Sequence, residues 1–313
     1  MDRLEAMAML VEAVDSGSLS AVSRKMNVPL PTVSRKIADL ESHLGTRLLI
    51  RSTRKLVLTE AGAAYVSVAK RVLEQVAEAE RTAAGEYSAP RGDLAVTAPI
   101  VFGRLHVLPV VTDFLARYPE INIRLMLSDR NVHLIEEHVD VAIRLGVLPD
   151  SSITATRLGE VRHVVCASPS FLAAQGVPET PNALVMLPCI LHAFLPAPSP
   201  AWPFRKPGTK VEMMAPVRVR LAVTTAEAAV DAAIAGVGVT RLISYQVAET
   251  VARGALQIIL AQYEPEPMPV SMLHAGQGIL PLKVRSFLDF AVPRLRAAMA
   301  AERLNLGRER DSG

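Results

Sequence analysis

Apolar residues recur at helical spacing along the first 45 positions. Leu4, Met7, Leu10, Val11 and Val14 predict a helix from Asp2 to Ser16 that ends in an αL cap at Gly17. Ser18 is placed to cap a short second helix, Leu19 to Met26, and Asn27-Val28-Pro29 predicts a turn. Val33, Ile37, Leu40 and Leu44 then mark one face of a third helix, stopped by Gly45. Two short extended segments, Leu48 to Ile50 and Leu56 to Leu58, flank Arg51-Ser52-Thr53-Arg54-Lys55 and predict a hairpin. Three helices followed by a basic hairpin describe a winged helix-turn-helix over residues 1–58.

Thr59 is placed to cap a long helix reaching about Ala84. Its apolar positions, Tyr65, Val68, Val72, Val76, Ala79 and Ala83, form one narrow stripe among charged residues. Such a stripe suits a seam between two helices of two chains; the alternative is packing onto its own domain. Residues 85–92 predict a hinge, so 59–87 is assigned as linker and dimerisation helix. Beyond it, strand-like and helical patterns alternate: Leu94 to Ala98, a helix near 104–118, Ile121 to Leu127, a helix near 132–138, and Val139 to Ile143. Later come Val217 to Val223, a helix near 225–235, and Val237 to Leu242. This alternation predicts an α/β domain with mostly parallel sheets. The class is therefore α plus α/β.

Composition changes this picture in three places. The net charge is only +3, but residues 18–58 hold eight cations against two acids, a net +6, so the positive field is concentrated on the hairpin and its helices. The two cysteines, Cys166 and Cys189, are too few for a disulfide scaffold and read as buried thiols. Residues 183–204 carry no charge, but Pro188, Pro196, Pro198, Pro200 and Pro203 would break a membrane helix, which predicts a buried strand and a proline-rich loop instead. Acids and Arg3 in the first dozen residues interrupt any export signal, and the expected location is the cytoplasm.

The chain resembles the LysR-type transcriptional regulators. The likeness is carried by Ala21-Val22-Ser23-Arg24-Lys25, Pro31-Thr32-Val33-Ser34-Arg35-Lys36-Ile37, Leu40-Glu41-Ser42-His43-Leu44-Gly45, Leu48-Leu49-Ile50-Arg51 and Leu58-Thr59-Glu60-Ala61-Gly62. More loosely it continues at Pro119, Asp140-Val141-Ala142-Ile143-Arg144 and Gly236-Val237-Gly238. The resemblance implies a homodimer or homotetramer on double-stranded promoter DNA. It also implies a two-lobed effector domain like a periplasmic binding protein over 88–300. Lobe I would comprise 91–162 and 269–298, lobe II 163–268, and a charged tail would follow from 301. The chain departs from the family at Pro29-Leu30, where Ser-Gln is common: Pro29 offers no capping oxygen and Leu30 no bidentate amide, so the operator sequence is not to be borrowed from the family consensus.

The second helix of such a motif enters the major groove by its N-terminal residues. The expected DNA contacts are Leu30, Pro31, Thr32, Ser34, Arg35 and Lys36, with wing cations Arg51, Arg54 and Lys55 on phosphate or in the minor groove. In the effector domain, Thr97-Ala98-Pro99 sits where a strand meets a helix, and Thr224-Thr225-Ala226-Glu227 fits a capping box. Helix starts attract anions, so these residues, lined by Ile100 and Phe102, predict a small organic anion as effector. The resemblance adds Ser128, Asp129, Arg144 and Gly146. Thr224 serves equally well as a plain cap, and Arg144 as one half of an inter-strand ion pair.

Three other functions fit less well. Nucleophile-elbow, zincin and phosphate-loop sequences are absent, Gly236-x-Gly238 lacks the third glycine of a dinucleotide fingerprint, and His133 and His138 are five apart, off one helical face. No enzyme activity, cofactor or metal is expected. A transport-type solute-binding protein would not need the basic hairpin, and a nucleoid-type DNA binder would not need the α/β domain.

Overall fold

The computed structural model describes residues 2–51, 56–83, 89–130, 137, 139–148, 154–192, 200–274 and 280–308. The chain divides into two compact units, Met1–Ala89 and Pro90–Gly313.

In the first unit, α1 (Arg3–Ser16) begins after Asp2, whose carboxylate accepts from the N–H groups of Leu4 and Glu5, and ends at Gly17 in the αL conformation. Asp2 is therefore the cap and not the first helical residue. The face that α1 buries is Ala6, Met9, Leu10 and Ala13, while Leu4 stays exposed. The stripe expected from the sequence, Leu4, Met7, Leu10, Val11 and Val14, shares only Leu10 with that face, because α1 also carries Ala6, Met9 and Ala13 at helical spacing. The alanines on the buried face, Ala6 and Ala13, allow neighbouring helices close approach. Helices α2 (Leu19–Met26) and α3 (Leu30–Leu44) follow, α2 capped by Ser18 and closed by Asn27 at φ +52°. Val33, Ile37 and Leu40 of α3 are fully buried with Val22 and the α1 face. Strands β1 (Leu49–Arg51) and β2 (Leu56–Leu58) pair antiparallel, Leu49 opposite Leu58.

The chain then enters α4 (Glu60–Ala83). Thr59 caps it, accepting from the N–H of Gly62 at 2.9 Å while its own hydroxyl donates to the Arg47 carbonyl at 2.7 Å. Gly62 is required: a Cβ there would lie 2.0 Å from the Leu48 carbonyl oxygen. Helix α4 packs on its own unit through Val66 and Ala69, whereas Val68 is exposed and Val72 and Val76 are half-buried. Both alternatives for this helix thus have residues available, on different faces.

The second unit opens with β3 (Gly92–Ala98), α5 (Ile100–Phe102), a π turn (Gly103–Val107) and α6 (Leu108–Arg117), then β4 (Ile121–Leu127), β5 (Val141–Leu145) and β6 (Thr154–Val161). After Arg162 come β7 (His163–Ala167), α7 (Pro169–Gln175), a 3-10 turn (Pro181–Met186), β8 (Pro188–His192), β9 (Ala201–Arg205), β10 (Glu212–Pro216) and β11 (Arg218–Val223). The chain continues through α8 (Ala226–Ile234), β12 (Val239–Ile243), α9 (Ser244–Ala252), β13 (Gln257–Ile259), a 3-10 turn (Ala261–Tyr263), β14 (Met268–His274) and α10 (Leu282–Arg308). Of the helix expected near 132–138, only Glu137 is among the described residues.

Two five-stranded sheets result, ordered β4-β3-β5-β14-β6 in lobe I and β11-β8-β12-β7-β13 in lobe II. Neither is mostly parallel. In lobe I, β3 runs parallel to β4 and β5, but β14 is antiparallel to β5 and β6. Lobe II mirrors this: β8 is parallel to β11 and β12, and β7 is antiparallel to β12 and β13. The chain crosses between lobes twice, at Arg162 and again before β14, and the strands at those crossings run against their neighbours. Apolar periodicity reports burial, not direction.

One core draws on both sheets, with Val96, Ile143 and Met272 from lobe I and Val164, Ile190 and Leu242 from lobe II; Phe114 and Phe287 meet edge to face at 5.2 Å within it. A second core lies under β9 and β10, around Trp202, Phe204 and Leu184. Pro203 was expected in a loop, but it sits inside β9, opposite Met214; a two-stranded sheet leaves a free edge where proline's missing donor does no harm. Gly236 follows α8 at φ +75°, and a Cβ on Gly238 would lie 2.2 Å from the Pro188 carbonyl oxygen, so this pair serves a turn and a close strand approach. Cys166 and Cys189 are buried and free; Cys166 faces the first core and Cys189 the second, on opposite faces of one sheet. Among the described residues, no helix is long and apolar enough to cross a membrane.

Candidate functional site

The first unit presents α3 by its N-terminal end. Pro29 makes no side-chain cap, and its carbonyl instead accepts from the N–H groups of Thr32 at 2.9 Å and Val33 at 3.2 Å. Proline at the second helical position, Pro31, has no N–H to leave unpaired. Leu30, Pro31 and Arg35 are exposed, while Thr32 and Ser34 are half-buried beside the buried Val33. Lys36 turns back onto α1 and pairs with Glu5. Lys25 pairs with Glu12 at 2.6 Å. Among the described residues, Arg24, Arg35 and Arg47 are exposed and make no ion pair. Arg54 and Lys55 lie outside the described residues, as does the side chain of Arg51.

The wing is bolted to this helix by Glu41, which accepts from the N–H groups of Leu48 at 2.8 Å and Leu49 at 3.0 Å. Leu40-Glu41 and Thr59-x-x-Gly62 thus hold the hairpin from its two sides.

The second unit has a crevice at the carboxyl ends of its parallel strands, where open α/β sheets bind ligands. Its volume is about 270 Å³. Lobe I contributes Pro99 after β3, Ser128 and Asp129 after β4, and Arg144 and Leu145 at the end of β5. Lobe II contributes His163, His192 and Arg241, with Tyr245 and Gln246 from the first turn of α9. A larger, more open hollow of about 590 Å³ lies at the amino ends of the lobe II strands, among Pro188, Arg218 and Gly236, away from every residue nominated from the sequence.

Several crevice groups are already fixed. An Asp129 carboxylate oxygen accepts from the Ile100 N–H at 3.0 Å, and Ser128 Oγ accepts from the Arg130 N–H at 3.2 Å. Arg144 donates to the Arg130 carbonyl at 3.2 Å; burial lowers its pKa, and Glu137 works against that. Gln246 accepts from the Ile243 N–H at 2.9 Å. Tyr245 is buried against lobe I, its ring 5.4 Å from Phe102 and 6.0 Å from His106. His106 lies in the π turn, a distortion that recurs near functional sites. His163 is held neutral, its pKa pulled down to about 4 by burial and then by Arg241; burial brings Arg241 itself to about 10.

The crevice brings together four residues expected from the sequence, Pro99, Ser128, Asp129 and Arg144, and leaves six outside its lining. Thr97 is buried and its hydroxyl donates to the Met126 carbonyl at 3.0 Å, because the residues alternating with it on β3 face the core. Ala98 is core, and Phe102 is fully buried behind Tyr245. Gly146 turns at φ +97°, its N–H bonded to the Pro269 carbonyl. Thr224 is exposed, and Thr225 is the actual cap of α8, accepting from Ala228. That places Glu227 one position too early for a capping box, 4.0 Å from Arg104. His163, His192, Arg241, Tyr245 and Gln246 were missed. The signal was available: His163 opens, and Arg241 interrupts, an otherwise apolar strand.

Residues 4–63 match the bacterial regulatory helix-turn-helix proteins of the lysR family, and residues 88–296 match the LysR substrate binding domain. An HTH-type transcriptional repressor of Pseudomonas aeruginosa is 34% identical over 293 residues, which span 93% of this chain and 92% of that protein. The structure of CrgA, a LysR-type transcriptional regulator from Neisseria meningitidis, aligns with a TM-score of 0.59 at 30% identity, covering 93% of this chain and 98% of that one. The full-length Vibrio cholerae virulence activator AphB aligns with the same score at 28% identity, over 93% and 98% of the two chains.

Proposed function

The chain belongs to the LysR family of transcriptional regulators, and on that premise we propose that it reads a specific operator with α3 and answers to a small organic anion in the crevice. It is a regulator with an effector-binding domain and not an enzyme. The observation that carries the reading is the crevice itself, where two arginines from opposite lobes, Arg144 and Arg241, meet one acid, Asp129. Leu30, Pro31, Thr32, Ser34 and Arg35 supply the base-edge contacts; the wing cations Arg51, Arg54 and Lys55 supply phosphate contacts that position without specifying. Lys36 contributes through its pairing with Glu5, which orients α3 on α1.

The protein works in the cytoplasm as a homodimer or homotetramer through α4. The residues supporting that assembly are Val68, Val72 and Val76, which the unit's own packing leaves at least partly open. Anion binding shifts the lobes and with them the spacing of DNA-binding units, a coupling typically worth about 1–3 kcal/mol.

The test is footprinting on the intergenic DNA beside the gene, with a salt titration of wild type and the Arg51/Arg54/Lys55→Ala variant. A protected half-site pair should appear, and the log–log salt slope should fall by up to about 0.9 per lost phosphate contact. Equal affinity for random DNA of the same length would reject operator reading.

A further inference from the structure

The crevice contains a charge that nothing among the described residues balances. Arg241 is half-buried on β12, and among the described residues its side chain makes no hydrogen bond and no ion pair. Residues 193–199, which follow the crevice residue His192, contain no Asp or Glu. A guanidinium drawn partly out of water is costly until an anion meets it, and none of the described residues supplies that anion.

The surroundings narrow what that anion is. On the paired strands Ile243 lies opposite His163 and Arg241 opposite Val165, so the guanidinium and the imidazole are diagonal neighbours on one face. His163 is neutral near pH 7, and hence adds a hydrogen bond but no second charge. The other groups facing this corner are His192 and Tyr245 on lobe II, and Arg144 and Asp129 across the crevice; Glu264, behind His163, is taken by Arg162. Arg144 is engaged by the Arg130 carbonyl. Asp129, which lines the crevice, has committed one oxygen to Ile100, and its other oxygen has no hydrogen bond among the described residues. The apolar part of the lining includes Pro99, Leu145 and Ile243.

We propose that the crevice selects a compact organic monocarboxylate bearing a hydrogen-bond donor at its far end, with the carboxylate on Arg241 and the donor, a hydroxyl or an ammonium group, on Asp129. This rests on the crevice being the effector site and adds the chemical class that the site selects. A guanidinium fork matches a carboxylate bidentately. A dianion would find one free charge on the lobe II wall and a repelling carboxylate opposite.

Full-length protein is assayed by thermal shift and calorimetry against aliphatic and aromatic hydroxy- and amino-carboxylates. The controls are the matching acids without the donor, the matching carboxamides and phosphate monoesters. Hydroxy- or amino-carboxylates should bind and their amides should not, and the better of the two series identifies the donor. Arg241→Gln should lower affinity about ten- to a hundredfold. It should also leave the unliganded melting temperature unchanged or raised, because it removes an unbalanced charge; a merely structural arginine would lower it. Asp129→Asn, which keeps the oxygen that caps Ile100, should erase the preference for ammonium over the donor-free acid while carboxylates still bind. Amides binding as well as acids, phosphate esters binding best, full affinity in Arg241→Gln, or no response to any of these compounds would overturn the proposal. If ligands bind but neither these variants nor Gln246→Ala alters them, the crevice reading itself falls; neutral ligands lost on crevice substitution would overturn only the class.

Discussion

Arg162 and Glu264 clamp the two strands that carry the chain between the lobes. Their side chains meet at 2.8 Å, with the Glu264 side chain only 8% exposed. Arg162 is the single residue between β6 and β7, and Glu264 follows the 3-10 turn before β14. The backbone of Arg162 is tied a second time to the first residue of α9, its carbonyl accepting from the Ser244 N–H at 2.8 Å. The crossing is therefore fixed on both sides within one residue of His163 in the crevice.

Removing one member of this pair should cost more than removing both. Arg162→Met takes the cation from a buried carboxylate and should destabilise the protein by about 3 kcal/mol, while the double variant Arg162→Met/Glu264→Leu should recover a large part of that loss. Urea denaturation of the three proteins measures both; an additive double variant would show that the two side chains are not coupled.

Leu30 should set one position of the operator. Leu30→Gln restores a bidentate amide at the exposed start of α3 and should change the preferred base at one position in each half-site by roughly 1–3 kcal/mol, with overall affinity little altered. Selection from a randomised operator tests this, and identical motifs from both proteins would place Leu30 away from the bases.

Val72 should lie in a helix seam between chains. Val72→Arg would bury an unpaired charge there, giving monomers and weak operator binding. Sedimentation velocity decides the matter, since an intact dimer would move the seam to other residues.

His163 should make stability fall in mild acid. Its folded pKa of about 4 lies below the ordinary 6.5, so the unfolded chain takes up the proton first as pH drops. The loss begins near pH 6.5, grows until about pH 4 and then stays constant; solvent access limits it to about 1–2 kcal/mol. His163→Gln should flatten that part of the curve in urea titrations at successive pH values, and an unchanged slope would assign the acid sensitivity to another group.

Neither thiol should react in the folded protein. Burial pushes the Cys166 pKa up to about 12 and that of Cys189 to about 11. A thiol-disulfide reagent should label both only at the rate of unfolding, and no disulfide should form between them because they lie on opposite faces of the sheet. Rapid native labelling would contradict this burial.

The DNA-binding unit was legible because its signals are local. Gly17 and Gly45 end helices at positive φ, Ser18 and Thr59 cap within three residues, and Val33, Ile37 and Leu40 form one unambiguous face. The crevice was less so, since its walls come from strands far apart in sequence. Thr97 and Thr225 look alike as threonines before a helix, yet one is sealed by β4 and the other is occupied with its own cap. Which polar residue faces a crevice depends on strand direction and on what covers the other face, and neither is written into the spacing. Arg241 was visible as an oddity in an apolar run, but its significance appears only when no acid pairs with it among the described residues.

The close fit of Gly62 beneath the Leu48 carbonyl ties the base of the wing to the start of α4, as the foot of a lever is tied to its arm. If two such levers cross at Val72, the reach from one wing to its twin is set by the point of crossing, as the span of a pair of callipers is set by its pivot. A substitution far along α4 that slides this pivot would alter which spacing of half-sites is measured out without touching any residue near DNA. The operator's ruler would then belong to the pair of chains and to neither chain alone.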